Sequence, residues 1–380
     1  MSIRGKTAIV GIGYAGLGSS PGWTPIELAA RAAECALTDA GLRAEDIDGL
    51  CASTFYHLFP TLSVSEQLGI SPKWSNADMT GGSTFIAQVL QAALAIKAGL
   101  CTNVLIVYGS AARSTKDIYG IIDLPLLQAS YAPLLPVGAY AMSAARHMHQ
   151  FGTTRRHLAE VAVAARKWAQ LNPDAALQSP LSIEDVLNSP MVCDPLSRLD
   201  CCLVSDGGGA LIMTSAERAR DMPQPPVYVL GVGTAHSHRD ISQMTDLTTT
   251  GAVESGQRAY SMAGVTVADI DVVQLYDAFT ILPILFLEDL GFCKKGEGGP
   301  FVADGGIAPG GRLPVNTSGG GLSFVHPGMY GLFALHETCV QLRGHGGRRQ
   351  VKSPTLGLAH GNGGYFSHQA TAILGTGASL

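Results

Sequence analysis

Two short motifs in the second half of the chain set proton-trading side chains beside glycine-rich turns. His326 lies in Val325-His326-Pro327-Gly328, just after Gly319-Gly320-Gly321. Imidazole has an ordinary pKa closer to neutrality than any other side chain, which makes His326 a candidate acid/base or a donor to a carbonyl oxygen. Tyr276 follows the apolar run Val272–Leu275 and precedes Asp277-Ala278-Phe279. A phenol of ordinary pKa about 10 donates a hydrogen bond readily but acts as a base only with help. Asp277 either orients Tyr276 or caps the next helix. His360 stands between the apolar run Thr355–Leu358 and Gly361-Asn362-Gly363-Gly364, with Tyr365 and His368 beyond. Tyr365 is expected to reach a cavity, and His368 reads as structural. Gly320, Gly363 and Gly364 would let a substrate approach the backbone closely and meet its N–H groups.

The first half carries Thr80-Gly81-Gly82-Ser83 ahead of an alanine-rich helical stretch. A helix start offers free N–H groups and a positive dipole end, suited to an enolate, a thioester oxyanion or a phosphate. Ser83 and Thr80 are also helix-capping types, and Ser83 would need a dedicated base to act as a nucleophile. Cys201-Cys202 read as packing residues. His236, His238 and Arg239 read as a surface loop; a third ligand for a metal is not indicated, so no metal site is expected. Gly11-x-Gly13-x-x-Gly16 matches a dinucleotide fingerprint, but no acidic residue ends a second strand about 20 residues on, and a dinucleotide is rejected.

These groups need a frame, and the chain supplies alternating helices and apolar strands of an α/β fold. Pro25 to Ala40 predicts a helix stopped by Gly41; Ser83 to Lys97 predicts another stopped by Gly99. Ile9–Ile12, Val104–Val107, Ala210–Met213 and Val227–Leu230 predict buried strands. Ala40-Gly41-Leu42-Arg43-Ala44-Glu45-Asp46-Ile47-Asp48 matches Ala263-Gly264-Val265-Thr266-Val267-Ala268-Asp269-Ile270-Asp271, 223 residues on. In each copy a glycine cluster, Gly81-Gly82 or Gly319–Gly321, is expected to open a helix. This order reads as a duplication. Pro223, Pro225 and Pro226 punctuate the boundary, giving halves 1–222 and 223–380. The aperiodic excursion 113–140 in the first half is expected to line a pocket for a bulky apolar group.

At 380 residues the chain has room for two to three domains. Hydrophobic residues make up 46% and charged residues 14%, well below the usual quarter, which excludes disorder and predicts a large core. The net charge of −5 and the lack of a basic cluster exclude nucleic acid as the main partner. No apolar run is long enough to span a membrane, and the eight cysteines lack metal-finger spacing; a cytoplasmic protein with free thiols is expected.

Taken together, Leu199-Asp200-Cys201-Cys202 with Ser205-Asp206-Gly207, Asp269-Ile270-Asp271 through Phe279, Asn316–Gly320 with His326-Pro327-Gly328, and His360–Gly364 resemble the thiolase superfamily in its sterol-carrier or lipid-transfer branch. The resemblance covers essentially the whole chain. It implies a duplicated α/β fold with a layered αβαβα core and a CoA thioester as substrate, with no separate cofactor. It also implies a nucleophilic cysteine at the first-half helix start, an Asn-Glu-Ala-Phe-type motif, a Gly-His-Pro motif and a C-terminal Cys-x-Gly. Here the helix start, 78–84, has no cysteine, Tyr276 stands at the Asn position, Val325 precedes His-Pro, and His360 takes the C-terminal Cys position. Such a site keeps the means to stabilise an enolate, which retro-aldol cleavage of a β-hydroxyacyl-CoA requires. The resemblance therefore implies an aldolase of the kind that cleaves CoA thioesters of steroid side chains, with Tyr276, His326, His360, Asp277 and Tyr365 catalytic and Ser83, Gly320, Gly363 and Gly364 holding the thioester. It further implies a homodimer and a small partner carrying a zinc ribbon and an OB-fold. The alternatives are a thiolase-type acyltransferase using Ser83, and a non-catalytic acyl-CoA or lipid carrier.

Overall fold

The computed structural model describes residues 3–55, 57–115 and 134–380, so residues 116–133 of the excursion lie outside the described residues. Nine strands form one mixed sheet: β1 (Thr7–Gly18), β2 (Gly49–Ala52), β3 (Trp74–Asn76), β4 (Val104–Ser110), β5 (Asp206–Ser215), β6 (Val227–His236), β7 (Val272–Leu275), β8 (Leu356–Gly363) and β9 (His368–Gly375). Their order is β3-β2-β4-β5-β1-β6-β9-β8-β7. The apolar runs mark the strand centres. The strands extend beyond them because flanking glycine and polar residues still pair through their backbones.

Pairing repeats about the middle of the sheet. β1 is antiparallel to β5, which is antiparallel to β4, which is parallel to β2. In the same way β6 is antiparallel to β9, which is antiparallel to β8, which is parallel to β7. The parallel β2–β3 contact has its counterpart in a single parallel bridge between Val273 and Val315. The two sets meet where Ala8 and Ile9 of β1 pair with Tyr228 and Val227 of β6.

Among the described residues, the helices that bear on the site are α1 (Pro25–Ala40), α2 (Thr84–Lys97), α3 (Val137–Phe151), α4 (Ala252–Ala263), α5 (Ile281–Asp289) and α6 (Gly331–Leu342); α3 packs on α5, the others on the sheet. The bounds of α1 match the sequence expectation. Thr24 Oγ1 accepts from Glu27 N at 3.2 Å and Glu27 accepts from Thr24 N at 2.7 Å, while Gly41 ends the helix at φ 66°. Helix α1 packs on β1, β4 and β5, and α4 packs on β6 and β9. Helices α2 and α6 touch strands of both sets and each other. All twelve residues of α6 are buried, as befits a helix at the centre of a layered αβαβα core.

Two glycine clusters have structural reasons that the sequence alone did not give. Gly11 and Gly13 lie under α1, where a Cβ on Gly13 would stand 2.5 Å from Ala32 O and Ala36 N. The apparent dinucleotide fingerprint is therefore a helix-packing surface. Gly319–Gly321 does not open a helix. It leads into a wide helical turn over Gly320–Phe324, and α6 begins only at Gly331.

Candidate active site

A cavity of about 770 Å³ opens where the ends of β7 and β8 meet the turn before α2. Tyr276 leaves β7 with its backbone N–H donating to His360 O at 3.0 Å. Asn316, at φ 54°, accepts from Leu275 N at 2.7 Å and holds that strand end in register. His326 comes from the loop between the Gly320–Phe324 turn and α6. Its N–H donates to Ser205 Oγ at 2.9 Å. Gly82 packs against the Tyr276 ring, where no Cβ would fit.

Tyr276 and His326 both line the cavity, with Tyr276 Oη 3.1 Å from His326 Nε2. Tyr276 Oη also lies 3.3 Å from Gly328 O. Tyr330 stacks parallel to the His326 ring at 6.1 Å between centroids. Burial lowers the His326 pKa to about 4, only partly offset by a hydrogen bond to its own backbone. The imidazole is neutral at pH 7, with Nε2 turned toward the phenol.

Asp277 does not reach the cavity. Its Oδ1 accepts from Gly321 N at 2.6 Å, and its Oδ2 is buried without a partner beneath Gly320. Burial raises this carboxyl to about 7 against several stabilising hydrogen bonds. Gly320 thus serves the close approach to Asp277 and is absent from the cavity wall.

His360 also lies outside the cavity wall. Its Nδ1 is 2.8 Å from Thr371 Oγ1, its Nε2 is 3.0 Å from Gln369 Oε1, and Phe286 meets its ring edge-on. Burial lowers its pKa to about 3. Gly363 is pressed against Thr80 O and Ser83 rather than open to a ligand, whereas Gly364 and Tyr365 do line the cavity. Burial raises the Tyr365 phenol.

Ser83 is fully buried and makes no capping bond. Its Oγ lies 2.6 Å from His368 Nδ1 and 3.2 Å from Thr80 O. Its partner His368 lines the cavity and pairs across the sheet with His236, their rings 4.2 Å apart. His236, His238 and Arg239, expected on a surface loop, stand at the cavity as well. The His-x-His pair at the end of β6 was the available signal. Without the β6–β9 register, nothing in the sequence shows that it faces His368.

Tyr140 of α3 and Asn362 complete the polar wall, and Phe55, Met79, Pro136, Ala278 and Phe279 supply apolar surface. One cysteine, Cys202, is part of the wall, and burial raises its thiol far above neutrality. No group of three or more His, Cys, Asp or Glu side chains suited to a metal occurs among the described residues. No described helix is long and apolar enough to cross a membrane.

A duplicated sheet around two shared helices is thiolase-like, and here a strand end and the loop before α6 bring Tyr276 and His326 together within it. Residues 233–376 match the thiolase C-terminal domain-like family. A steroid side-chain-cleaving aldolase of Thermomonospora curvata is 38% identical over 87% of this chain and 89% of its own length. The 17-hydroxy-3-oxo-4-pregnene-20-carboxyl-CoA lyase of Mycobacterium tuberculosis is 34% identical over 94% of this chain and 95% of its own. The solved Ltp2-ChsH2(DUF35) aldolase superposes over all of both chains with a TM-score of 0.91 at 34% identity. The chain belongs to the thiolase superfamily, in its sterol-carrier and lipid-transfer branch, and is homologous to the steroid side-chain-cleaving aldolases.

Proposed function

We propose that the protein is a carbon–carbon lyase that cleaves a β-hydroxyacyl-CoA by a retro-aldol reaction, with a steroid side chain as the bulky acyl group. The observation that carries this reading is the buried Tyr276–His326 hydrogen bond at 3.1 Å in a cavity without an activated thiol. Tyr276 Oη takes the β-hydroxyl proton while its own proton moves to His326 Nε2. The O–H electron pair becomes the new C=O bond, and the Cα–Cβ pair passes to Cα and into the thioester as an enolate. The proton then returns through Tyr276 to Cα, releasing the carbonyl product and a shortened acyl-CoA. A histidine whose pKa is lowered to about 4 holds that proton only briefly, which favours its return. Phe55, Met79 and Phe279 suit an apolar substrate.

The transferase alternative would use Ser83. That hydroxyl is fully buried and absent from the cavity wall, which favours the lyase even though His368 stands beside it. A passive carrier would have no use for a desolvated Tyr–His pair. The working assembly in this reading contains a DUF35-type partner, on the precedent of the Ltp2-ChsH2(DUF35) aldolase, and a second copy of the chain, as the family resemblance implies.

The test is a product assay with a bulky β-hydroxyacyl-CoA, with and without a co-expressed DUF35 partner and without free CoA. Carbonyl product plus shortened acyl-CoA, and no acyl-enzyme by intact mass, is the expected result. Cleavage of a β-ketoacyl-CoA that depends on free CoA would overturn the reading.

A further inference from the structure

The cavity wall contains an amide whose orientation is fixed from outside. Tyr140 Oη lies 2.8 Å from Gly364 O. A carbonyl can only accept, so Tyr140 donates to it, and the Tyr140 oxygen accepts from Asn362 Nδ2, 2.8 Å away. With Nδ2 turned to Tyr140, Asn362 Oδ1 faces Gln369 Nε2 at 2.7 Å. Gln369 Oε1 is then left to accept from His360 Nε2 at 3.0 Å. His360 therefore carries its proton on Nε2, and Nδ1 accepts from Thr371 Oγ1 at 2.8 Å. Ser255 Oγ, 2.9 Å from Thr371 Oγ1, continues the chain away from the cavity.

Each of these bonds has one polarity once the first is set. The chain links the wholly buried His360 to Asn362, which lines the cavity. Two facts give this a purpose. First, the Asn362 amide nitrogen has two hydrogens, and Tyr140 takes one. Second, Tyr140 cannot swing away to let the amide turn, because its ring stacks on Phe279 at 4.6 Å and leans on Phe366 at 4.8 Å.

We propose that Asn362 presents its second Nδ2–H into the cavity as the donor that binds the thioester oxygen and the enolate formed on it, and that His360, through Gln369, is the positioning residue that keeps this amide from flipping. The inference rests on the lyase reading for the enolate, but on the cavity alone for the thioester oxygen. A fixed donor aimed at developing negative charge needs no reorganisation during the reaction, and removing one such donor typically costs about 10²-fold or more in kcat.

The test uses two variants and two readouts. Asn362→Ala removes the donor. Gln369→Glu leaves Asn362 in place but replaces the N–H that fixes its Oδ1 with an acceptor, so the Asn362 amide loses its fixed orientation. The first readout is kcat and KM for cleavage of a β-hydroxyacyl-CoA. Each variant is expected to lose ~10²-fold in kcat with a smaller change in KM, and the double variant to lose little more than either. The second readout is the infrared stretch of a bound acyl-CoA that lacks the β-hydroxyl and carries ¹³C at the thioester carbonyl. Wild-type protein should lower its frequency relative to water, and both variants should lose that shift. If the shift depends on Asn362 but no cleavage occurs, the donor assignment stands and the lyase reading fails. If cleavage occurs and Asn362→Ala keeps both the shift and a kcat within threefold, the donor assignment fails and the lyase reading stands. Failure of the labelled acyl-CoA to bind overturns both.

Discussion

The Tyr276 hydroxyl lies 3.1 Å from His326 Nε2, and the two rings stand nearly perpendicular at 88°. This geometry sets the phenol oxygen at the imidazole's Nε2 edge instead of its face. Two separate chain segments are needed to make it. One is the end of β7, clasped by Asn316; the other is the loop before α6, clasped by Ser205.

Removing either member of the pair should abolish turnover with little loss of fold. Tyr276→Phe keeps the ring that packs beside Tyr330 and Gly82 and deletes only the oxygen. General acid–base groups contribute about 10²–10⁴-fold. Tyr276→Phe and His326→Ala should each lower kcat within that range, and the double variant should fall no further than the worse single one. Circular dichroism and thermal melting should leave Tyr276→Phe close to wild type. Additive losses in the double variant would show that the two residues do not act as a unit.

Acid should unfold the protein through its buried histidines. Burial lowers His326 and His368 to about 4, and His336 and His360 to about 3. In the unfolded chain each titrates near 6.5. Between about 4 and 6.5 the unfolded state therefore binds more protons, and stability must rise with pH across that window and be lost as pH falls through it. Asp277 acts in the opposite sense. Burial raises its folded pKa to about 7, so its contribution is full below about 4 and lost as pH rises through 7. Four deeply buried histidines outweigh the two carboxyls that burial raises, Asp277 and Asp289, so the melting temperature should climb from pH 4 to 6.5. Asp277→Asn should steepen that climb by removing one opposing group. A flat profile from pH 4 to 6.5 would refute the neutral buried state of these histidines.

The sequence made Tyr276 and His326 legible because both sit in local motifs at the ends of predicted elements. His360 shows the limit of that approach. It precedes Asn362 by two residues on the same strand, so alternation gives both the same face. Only the tertiary neighbours Phe286 and Gln369 show that the cavity stops between them. His368 and His236 were misread for a related reason. Their pairing depends on the antiparallel register of β6 and β9, which joins residues 132 positions apart. Pro136 and Tyr140 belong to the excursion 113–140 expected to line a pocket, and both do line the cavity; the Tyr140–Asn362 contact, however, depends on the docking of α3, to which no local pattern points.

Ser83 separates the lyase from the covalent alternative. Its Oγ lies 2.6 Å from His368 Nδ1, which is the arrangement a serine nucleophile would need. It is nonetheless fully buried and absent from the cavity wall. Ser83→Ala should retain kcat within about tenfold, well short of the 10²-fold or greater loss expected for a true acid–base or nucleophilic group. Intact-mass analysis of wild-type protein under turnover should show no adduct. A larger loss, together with an acyl adduct in the wild type that Ser83→Ala removes, would favour the transferase.

The duplicated frame predicts equivalent lesions in its two outer layers. Gly13 of β1 faces α1, with Ala32 O and Ala36 N each 2.5 Å from where a Cβ would lie. Gly233 of β6 meets α4 in the same manner, against Ser255 O and Ala259 N. Neither obstruction is the end of a flexible side chain, so the helix itself must lift. Overpacking in a tight core costs about 1–3 kcal/mol, and backbone neighbours place these sites at or above the top of that range. Gly13→Ala and Gly233→Ala should each lower the urea midpoint by a comparable amount, because the same packing relation is broken in each half of one sheet. If Gly13→Ala proved neutral while Gly233→Ala was costly, the two helix layers would not be equivalent supports. The glycines of the apparent dinucleotide fingerprint would then need an explanation other than packing.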